Sequence, residues 1–278
     1  MNTSKGTEMI SSDNDVAKKV QKELDEAMGG GGRKKYSRFV LAALGSIPWV
    51  GGFLAASSAI DAENEQEKVN GLTKLWLEEH QSKVDELGQT FIDILARLDG
   101  LGDDIQERIE SPSYLSLVRQ GFREWDRSET QEKRDYVRLL LTNAGGTALC
   151  PDDLVRLFLN WINVYHEAHF LVIKEIYQNR GIGRGQIWDL IHGKRPRENS
   201  AEADLFKLLI RDLSMGSVIR QHRPTNAYGE YVKKTPKKRN SSGTMKSAFD
   251  DSDPYELTEL GEQFVHYTME DVVQRIGS

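Results

Sequence analysis

Thiols are almost missing from this chain: of its 278 residues only Cys150 is a cysteine. A single cysteine excludes an intramolecular disulfide and suits folding in a reducing compartment. An excess of basic charge is missing too, since 37 Lys and Arg stand against 43 Asp and Glu for a net charge of -6. That balance excludes a protein that coats nucleic acid over its whole surface, so any basic patch must be found by position. The opening "MNTSKGTEMISSDNDVAKKVQKELDEAM" lacks the apolar core of a secretory signal, and a cytoplasmic location is the expectation. No repeat of solenoid length is visible. No spacing of nucleophile, base and acid assembles a catalytic constellation, so the chain reads as a non-enzyme without cofactor or metal.

Charged residues make up 29% of the chain and its mean hydropathy is -0.55, which excludes a polytopic membrane protein. The length suits two units, each with its own core. Residues 1–32 form the first stretch: a polar tail, a short amphipathic helix in which Val16, Val20, Leu24 and Ala27 recur at spacings of three and four, and a hinge of four glycines, Gly29, Gly30, Gly31 and Gly32.

Residues 33–164 read as a helical bundle containing one long apolar segment, residues 39–60, "FVLAALGSIPWVGGFLAASSAI". Its 22 uncharged residues are enough to cross a hydrocarbon core of about 30 Å. Pro48 interrupts it, however, and Gly45, Gly51 and Gly52 lower its helicity. A kinked span, an interfacial hairpin and a buried helical hairpin all remain open. If the segment meets lipid, Phe39, Leu41, Leu44, Ile47, Trp49, Val50, Phe53, Leu54 and Ile60 are the contacting residues. Its small residues would also permit close approach of a second copy.

Beyond it, a stripe from Val69 through Leu75, Val84, Leu87, Phe91, Ile94, Leu98 and Leu101 to Ile109 predicts one long helix or two in succession. Ser111-Pro112 ends that stripe. Two further helices follow, the second with an expected capping box of Ser128 and Gln131, and another begins at Pro151. The carboxylate pairs Glu78-Glu79 and Asp103-Asp104 read as solvated faces.

Residues 165–278 change pattern: a helix ending at Gln178, the turn "RGIGRG", a helix "QIWDLIHG", a helix "SAEADLFKLLIRDLSMG", a strand "SVIRQ", a polar excursion from His222 to Pro254, and "YELTELGEQFVHYTMEDVVQRI". The segment "YELTELGEQF" resembles the last strand and following helix of winged-helix proteins. That resemblance implies a fold of three helices, a small β-hairpin and a closing helix, with the third helix and the wing as the parts that contact nucleic acid. Glu198, Glu202 and Asp204 open that third helix and disfavour phosphate contact there, with only Lys207 and Arg211 after them. The wing is different: Arg220, Arg223, Lys233, Lys234, Lys237, Lys238 and Arg239 form a basic stripe suited to phosphate backbone or anionic lipid, although such a run also reads as a solvated loop.

His166 and His169 in "YHEAHF" stand one turn apart, but Phe170 occupies the place where H-E-x-x-H needs its second histidine, so a structural role is expected. "GIGRGQ" departs from G-x-G-x-x-G and follows a helix rather than a strand, which removes a dinucleotide reading. The apolar, glycine-rich segment joined to long amphipathic helices resembles the membrane-inserting tongue of α-helical pore-forming proteins. Together these readings give a mainly α protein, a bundle followed by a winged-helix unit. The expected function is conditional membrane association or permeabilisation, as in bacterial cell-death or phage-defence effectors recruited to the inner membrane. The expected partners are lipid or a protein that triggers release. The alternative is a soluble winged-helix regulator or adaptor that binds nucleic acid or protein and keeps the apolar segment as core.

Overall fold

The computed structural model describes residues 36–50, 66–102, 105–146, 150–223, 226–228, 230, 232 and 247–269. The expected helix at 16–28, the glycine hinge Gly29 to Gly32, residues Phe53, Leu54 and Ile60 of the apolar segment, and Lys233, Lys234, Lys237, Lys238 and Arg239 of the wing lie outside the described residues. What is described is mainly helical, with one two-stranded antiparallel sheet. The described residues divide into two units, one up to residue 163 and one from 164 to 269, each of which has its own core.

The first unit contains α1 (Ser37–Leu44), α2 (Gln66–Gly100), α3 (Gln106–Glu110), α4 (Pro112–Arg127), α5 (Gln131–Gly146) and α6 (Asp152–Val164). The long stripe is therefore two helices in succession, parted near Gly102, whose φ of 86° takes the backbone out of helix. Val84, Leu87, Phe91, Ile94, Leu95, Leu98, Ile105 and Ile109 are buried along it, whereas Leu75 is 63% exposed. α4 starts where Ser111 accepts a hydrogen bond from Tyr114 N at 3.2 Å and Pro112 fills the first helical position.

α4 packs on α5 and on α1, and α5 packs on α2. Phe39 of α1 sits at the meeting point, with ring centroids 6.1 Å from Phe91, 6.3 Å from Tyr114 and 6.0 Å from Phe122. These separations suit edge-on and offset aromatic contact. Burial pushes the Tyr114 hydroxyl well above its ordinary pKa, and it donates to Leu141 O at 2.9 Å.

The capping box expected at Ser128 and Gln131 is not formed. Ser128 closes α4 instead, donating from Oγ to Glu124 O at 2.7 Å, while the Gln131 amide turns forward to Asp135. A serine that follows a helix meets the free carbonyls of that helix before it meets the next one.

The second unit contains α7 (Glu167–Gln178), α8 (Arg184–His192), α9 (Ala201–Met215), β1 (Ile219–Gln221), β2 (Tyr255–Leu257) and α10 (Glu259–Met269). β1 and β2 pair antiparallel with Ile219 opposite Leu257, Arg220 opposite Glu256 and Gln221 opposite Tyr255. Ile182, between α7 and α8, makes an isolated antiparallel bridge to Tyr255 and widens the sheet by one residue. α8 ends at Gly193, whose φ of 75° suits glycine.

The sequence "LTELG" now has a physical reading. Leu257 ends the strand in the core. Thr258 then caps α10, its Oγ1 accepting from Gly261 N at 2.9 Å while donating to Ser217 O at 2.6 Å. Gly261 lies against the Val218 main chain, where a Cβ would stand 3.1 Å from the carbonyl carbon and closer still to its oxygen. Backbone cannot give way as a side-chain tip can, so this position takes no larger residue without moving β1 from α10.

Two stability changes follow. Phe39→Ala should cost about 3–5 kcal/mol, the range for emptying a packed aromatic site, read as a lower urea midpoint with unchanged m. Gly261→Ala should cost about 1–3 kcal/mol through overpacking against Val218, and a melting temperature equal to that of the unaltered protein would refute the contact.

Candidate phosphate-binding groove

The third helix of the second unit is built on two faces. Ala203, Phe206, Leu209, Ile210 and Leu213 turn inward and are buried. Lys207, Ile210, Arg211 and Ser214 follow the i, i+3, i+4, i+7 spacing, which sets them on one side of α9. That side lines a groove of about 550 Å³, completed by Arg184 at the start of α8, by Ile219, Arg220 and Gln221 of β1, by Arg223, and by Tyr255 of β2. Five cations and no carboxylate are among the lining residues.

Four of the cations have partners of three kinds. Arg184 donates from Nε and Nη2 to Tyr255 Oη at 2.8 and 2.5 Å, and its guanidinium lies 5.3 Å from the centre of that ring. Lys207 Nζ is 3.3 Å from Asp204 Oδ1 and Arg211 Nε is 3.6 Å from Asp212 Oδ1. Both pairs are solvated, and exposed pairs of this kind are worth under about 1 kcal/mol, so an arriving phosphate can replace them. Arg220 is held harder. Its Nε is 2.7 Å from Oε1 of Glu256, a carboxylate that is only 5% exposed, and His222 Nδ1 is 2.6 Å from the other oxygen, Oε2. Burial pushes the Glu256 carboxyl up, but the hydrogen bonds from His222 and Arg220 outweigh it and leave the pKa below its ordinary value.

Of the acids expected to repel phosphate, Glu198 stands before α9 and is otherwise engaged. It accepts from Ala248 N at 2.9 Å and from the Ser247 hydroxyl, which lowers its pKa. Glu202 and Asp204 remain in the first turn of α9. Of the expected wing cations, Arg220 and Arg223 line the groove, and Lys207 and Arg211, set aside in the sequence for their acidic neighbours, line it with them. Arg184 was missed. The signal available was its place two residues after Ile182, where a strand bridge turns into a helix start.

The chain after the wing is anchored to the same helix start. Asp251 Oδ1 accepts from Gly185 N at 2.7 Å and Gln186 N at 3.2 Å, and Arg195 bridges Asp251 to Asp189. At the base of the wing His222 N donates to Pro254 O at 2.7 Å.

The remaining sequence candidates find structural roles. His169 Nδ1 accepts from His166 N at 3.1 Å, which caps α7. That bond leaves the proton of neutral His169 on Nε2. Burial holds its pKa below the ordinary value, with Asp212 Oδ2 3.9 Å away acting in the opposite sense. Among the described residues no three metal-binding side chains cluster. Cys150 is buried, and burial first and Asp152 second push its thiol up to about 11, so it is a poor nucleophile.

In the apolar segment, Phe39, Val40, Leu44, Ile47 and Val50 are buried in the first unit. Trp49 stacks on His80 at 5.4 Å and donates to Asp126 at 2.6 Å, while Leu41 is 59% exposed. Among the described residues no helix is long and apolar enough to cross a membrane.

Compared with family models, with curated proteins and with solved structures, the chain finds no match in any of the three.

Glu256 sets a pH dependence. Its folded pKa lies below the unfolded one, so its stabilisation is complete above the ordinary glutamate value of about 4.3 and is lost as pH falls through the lowered folded value. Between about pH 6 and about pH 3 the melting temperature should fall less for Glu256→Gln than for the unaltered protein. Parallel curves would remove Glu256 from the account.

Proposed function

We propose that residues 164–269 form a winged-helix unit that binds the phosphate backbone of nucleic acid in the groove between α9 and β1. The order of elements supports the fold: helix α7, the bridge residue Ile182, helices α8 and α9, strand β1, the excursion, strand β2 and closing helix α10. One observation carries the function, five cations around a single groove with no carboxylate in its lining. The overall net charge of -6 gives no general attraction for polyanions, so binding must come from this local concentration of charge. The first unit then serves as a helical platform, and the whole acts as a regulator or adaptor rather than an enzyme.

Conditional membrane association through residues 39–60 is the competing reading, and its energetics are harder. Drawing out the described half exposes Phe39, Val40, Leu44, Ile47 and Val50. At about 1.5–3 kcal/mol each, their passage through water costs on the order of 10 kcal/mol before lipid shelters them again, as large as the whole stability of a typical domain. Insertion would have to unfold the bundle rather than unlatch it. The cell-death or phage-defence role stands or falls with that step, whereas the groove asks for no rearrangement.

A salt titration tests the groove. Removing two phosphate contacts with Lys207→Ser and Arg211→Ser should lower the slope of log affinity against log salt by roughly 1.4–1.8, with the fold kept by circular dichroism. An unchanged slope in anisotropy titrations of a labelled oligonucleotide would exclude this face. Flotation with anionic vesicles in place of oligonucleotide binding would assign the cations to lipid phosphate.

A further inference from the structure

We infer that the groove takes a single strand rather than a duplex, and that Tyr228 stacks on one of its bases. This rests on the phosphate-binding reading above and adds the form of the ligand.

Tyr228 is 90% exposed. Its backbone is nonetheless engaged by a hydrogen bond to Asn226. Asn226 Oδ1 accepts from Tyr228 N at 3.0 Å and from Glu230 N at 2.9 Å, Asn226 Nδ2 donates to Glu230 Oε2 at 3.0 Å, and Asn226 N donates to Glu230 O at 2.8 Å. These four bonds tie Asn226 to Tyr228 and Glu230, while the Tyr228 ring stands in solvent. An exposed ring on a hydrogen-bonded backbone is suited to stacking on a base. Tyr228 lies five residues beyond Arg223, which lines the groove, so it is within about 18 Å of it along the chain. One strand can therefore lay phosphates on the cations and a base on the ring.

The helix beside the groove argues against a duplex. α9 has Glu202 and Asp204 in its first turn, and Leu205, Leu208 and Met215 are exposed on it. A helix entering a major groove runs between two walls of phosphate, where carboxylates at its leading end are repelled and exposed leucines find few partners. The concavity of about 550 Å³ is on the scale of a nucleotide-sized ligand rather than of a double helix. Unpaired bases offer free faces to an aromatic side chain, which paired bases inside a stack do not.

The test compares three labelled DNA probes of about 15 nucleotides: a mixed-sequence strand, its duplex, and a strand of the same length carrying only stable abasic sites. Anisotropy titrations at low salt use the full chain, Tyr228→Ala and Tyr228→Phe, with Lys207→Ser/Arg211→Ser beside them. The expected result is that the full chain prefers the base-bearing strand to the duplex. Tyr228→Ala should weaken binding to that strand roughly five- to a hundredfold, bringing it to the affinity of the abasic strand, and Tyr228→Phe should bind as the full chain does. Equal or tighter binding of the duplex overturns the inference, as does a Tyr228→Ala variant that matches the full chain on the base-bearing strand. In both of those cases weakened binding by Lys207→Ser/Arg211→Ser leaves the groove itself standing. Binding of none of the probes at low salt overturns both readings.

Discussion

The bond between Arg220 and the buried carboxylate of Glu256 is the constraint on which the small sheet of the second unit depends. The two residues face each other across the antiparallel pair β1–β2, so the 2.7 Å contact fixes both the register of the strands and the direction of the guanidinium. Two strands of three residues have little stability of their own. A carboxylate that is 5% exposed and bonded on both oxygens adds a strong directional constraint to that short pairing. Without it a buried anion would lose its partners and β1 would be free to move relative to α9, the element that supplies the opposite wall of the groove.

The second constraint lies immediately beside the first. Val218 O accepts from Thr258 N at 3.0 Å, and Gly261 allows the turn of α10 to press on the same carbonyl. The strand is thereby held from the far side by main-chain contact while Glu256 holds it in register. Arg184 reaches the site through Tyr255, the residue that pairs with Gln221 on one edge and bridges to Ile182 on the other. The groove is thus made where three chain segments converge on β2, and its cations come from residues 184 to 223.

This dependence explains what was legible in the sequence. Helices with a strong apolar period, such as the stretch from Val84 to Leu98, show plainly because burial and period are the same information. "YELTELGEQF" shows because Thr258 and Gly261 each answer to a local demand, one a helix cap and the other a close backbone approach. Ser128 misled because a serine between two helices can bond to either, and only the free carbonyl of Glu124 decides which. The cap of α7 was hidden because it is supplied by the ring of His169, a buried side chain beside Tyr165 and Phe170 rather than a serine or aspartate before the helix. The groove was half legible. Arg220 and Arg223 stand out in a basic run, but Lys207 and Arg211 were discounted for acids that precede them along the chain. In space the Glu198 carboxylate is taken up by Ser247 and Ala248, and the lysine and arginine line the groove together with β1.

The apolar segment shows that one composition suits two environments, lipid and a packed core. Its length and lack of charge invite a membrane reading, yet the described half is where the bundle is most aromatic, with Phe39 in contact with three rings from α2 and α4. A side chain that joins three helices in one core contributes to their mutual packing, so its removal is felt by all three rather than by its own short helix. Gly45 and Pro48, which look like interruptions in a span, end an eight-residue helix and let Ile47 and Val50 turn into the same core. Such interruptions would weaken a membrane-spanning helix. In the first unit they turn the chain so that Ile47 and Val50 are buried beside Phe39 and Leu44.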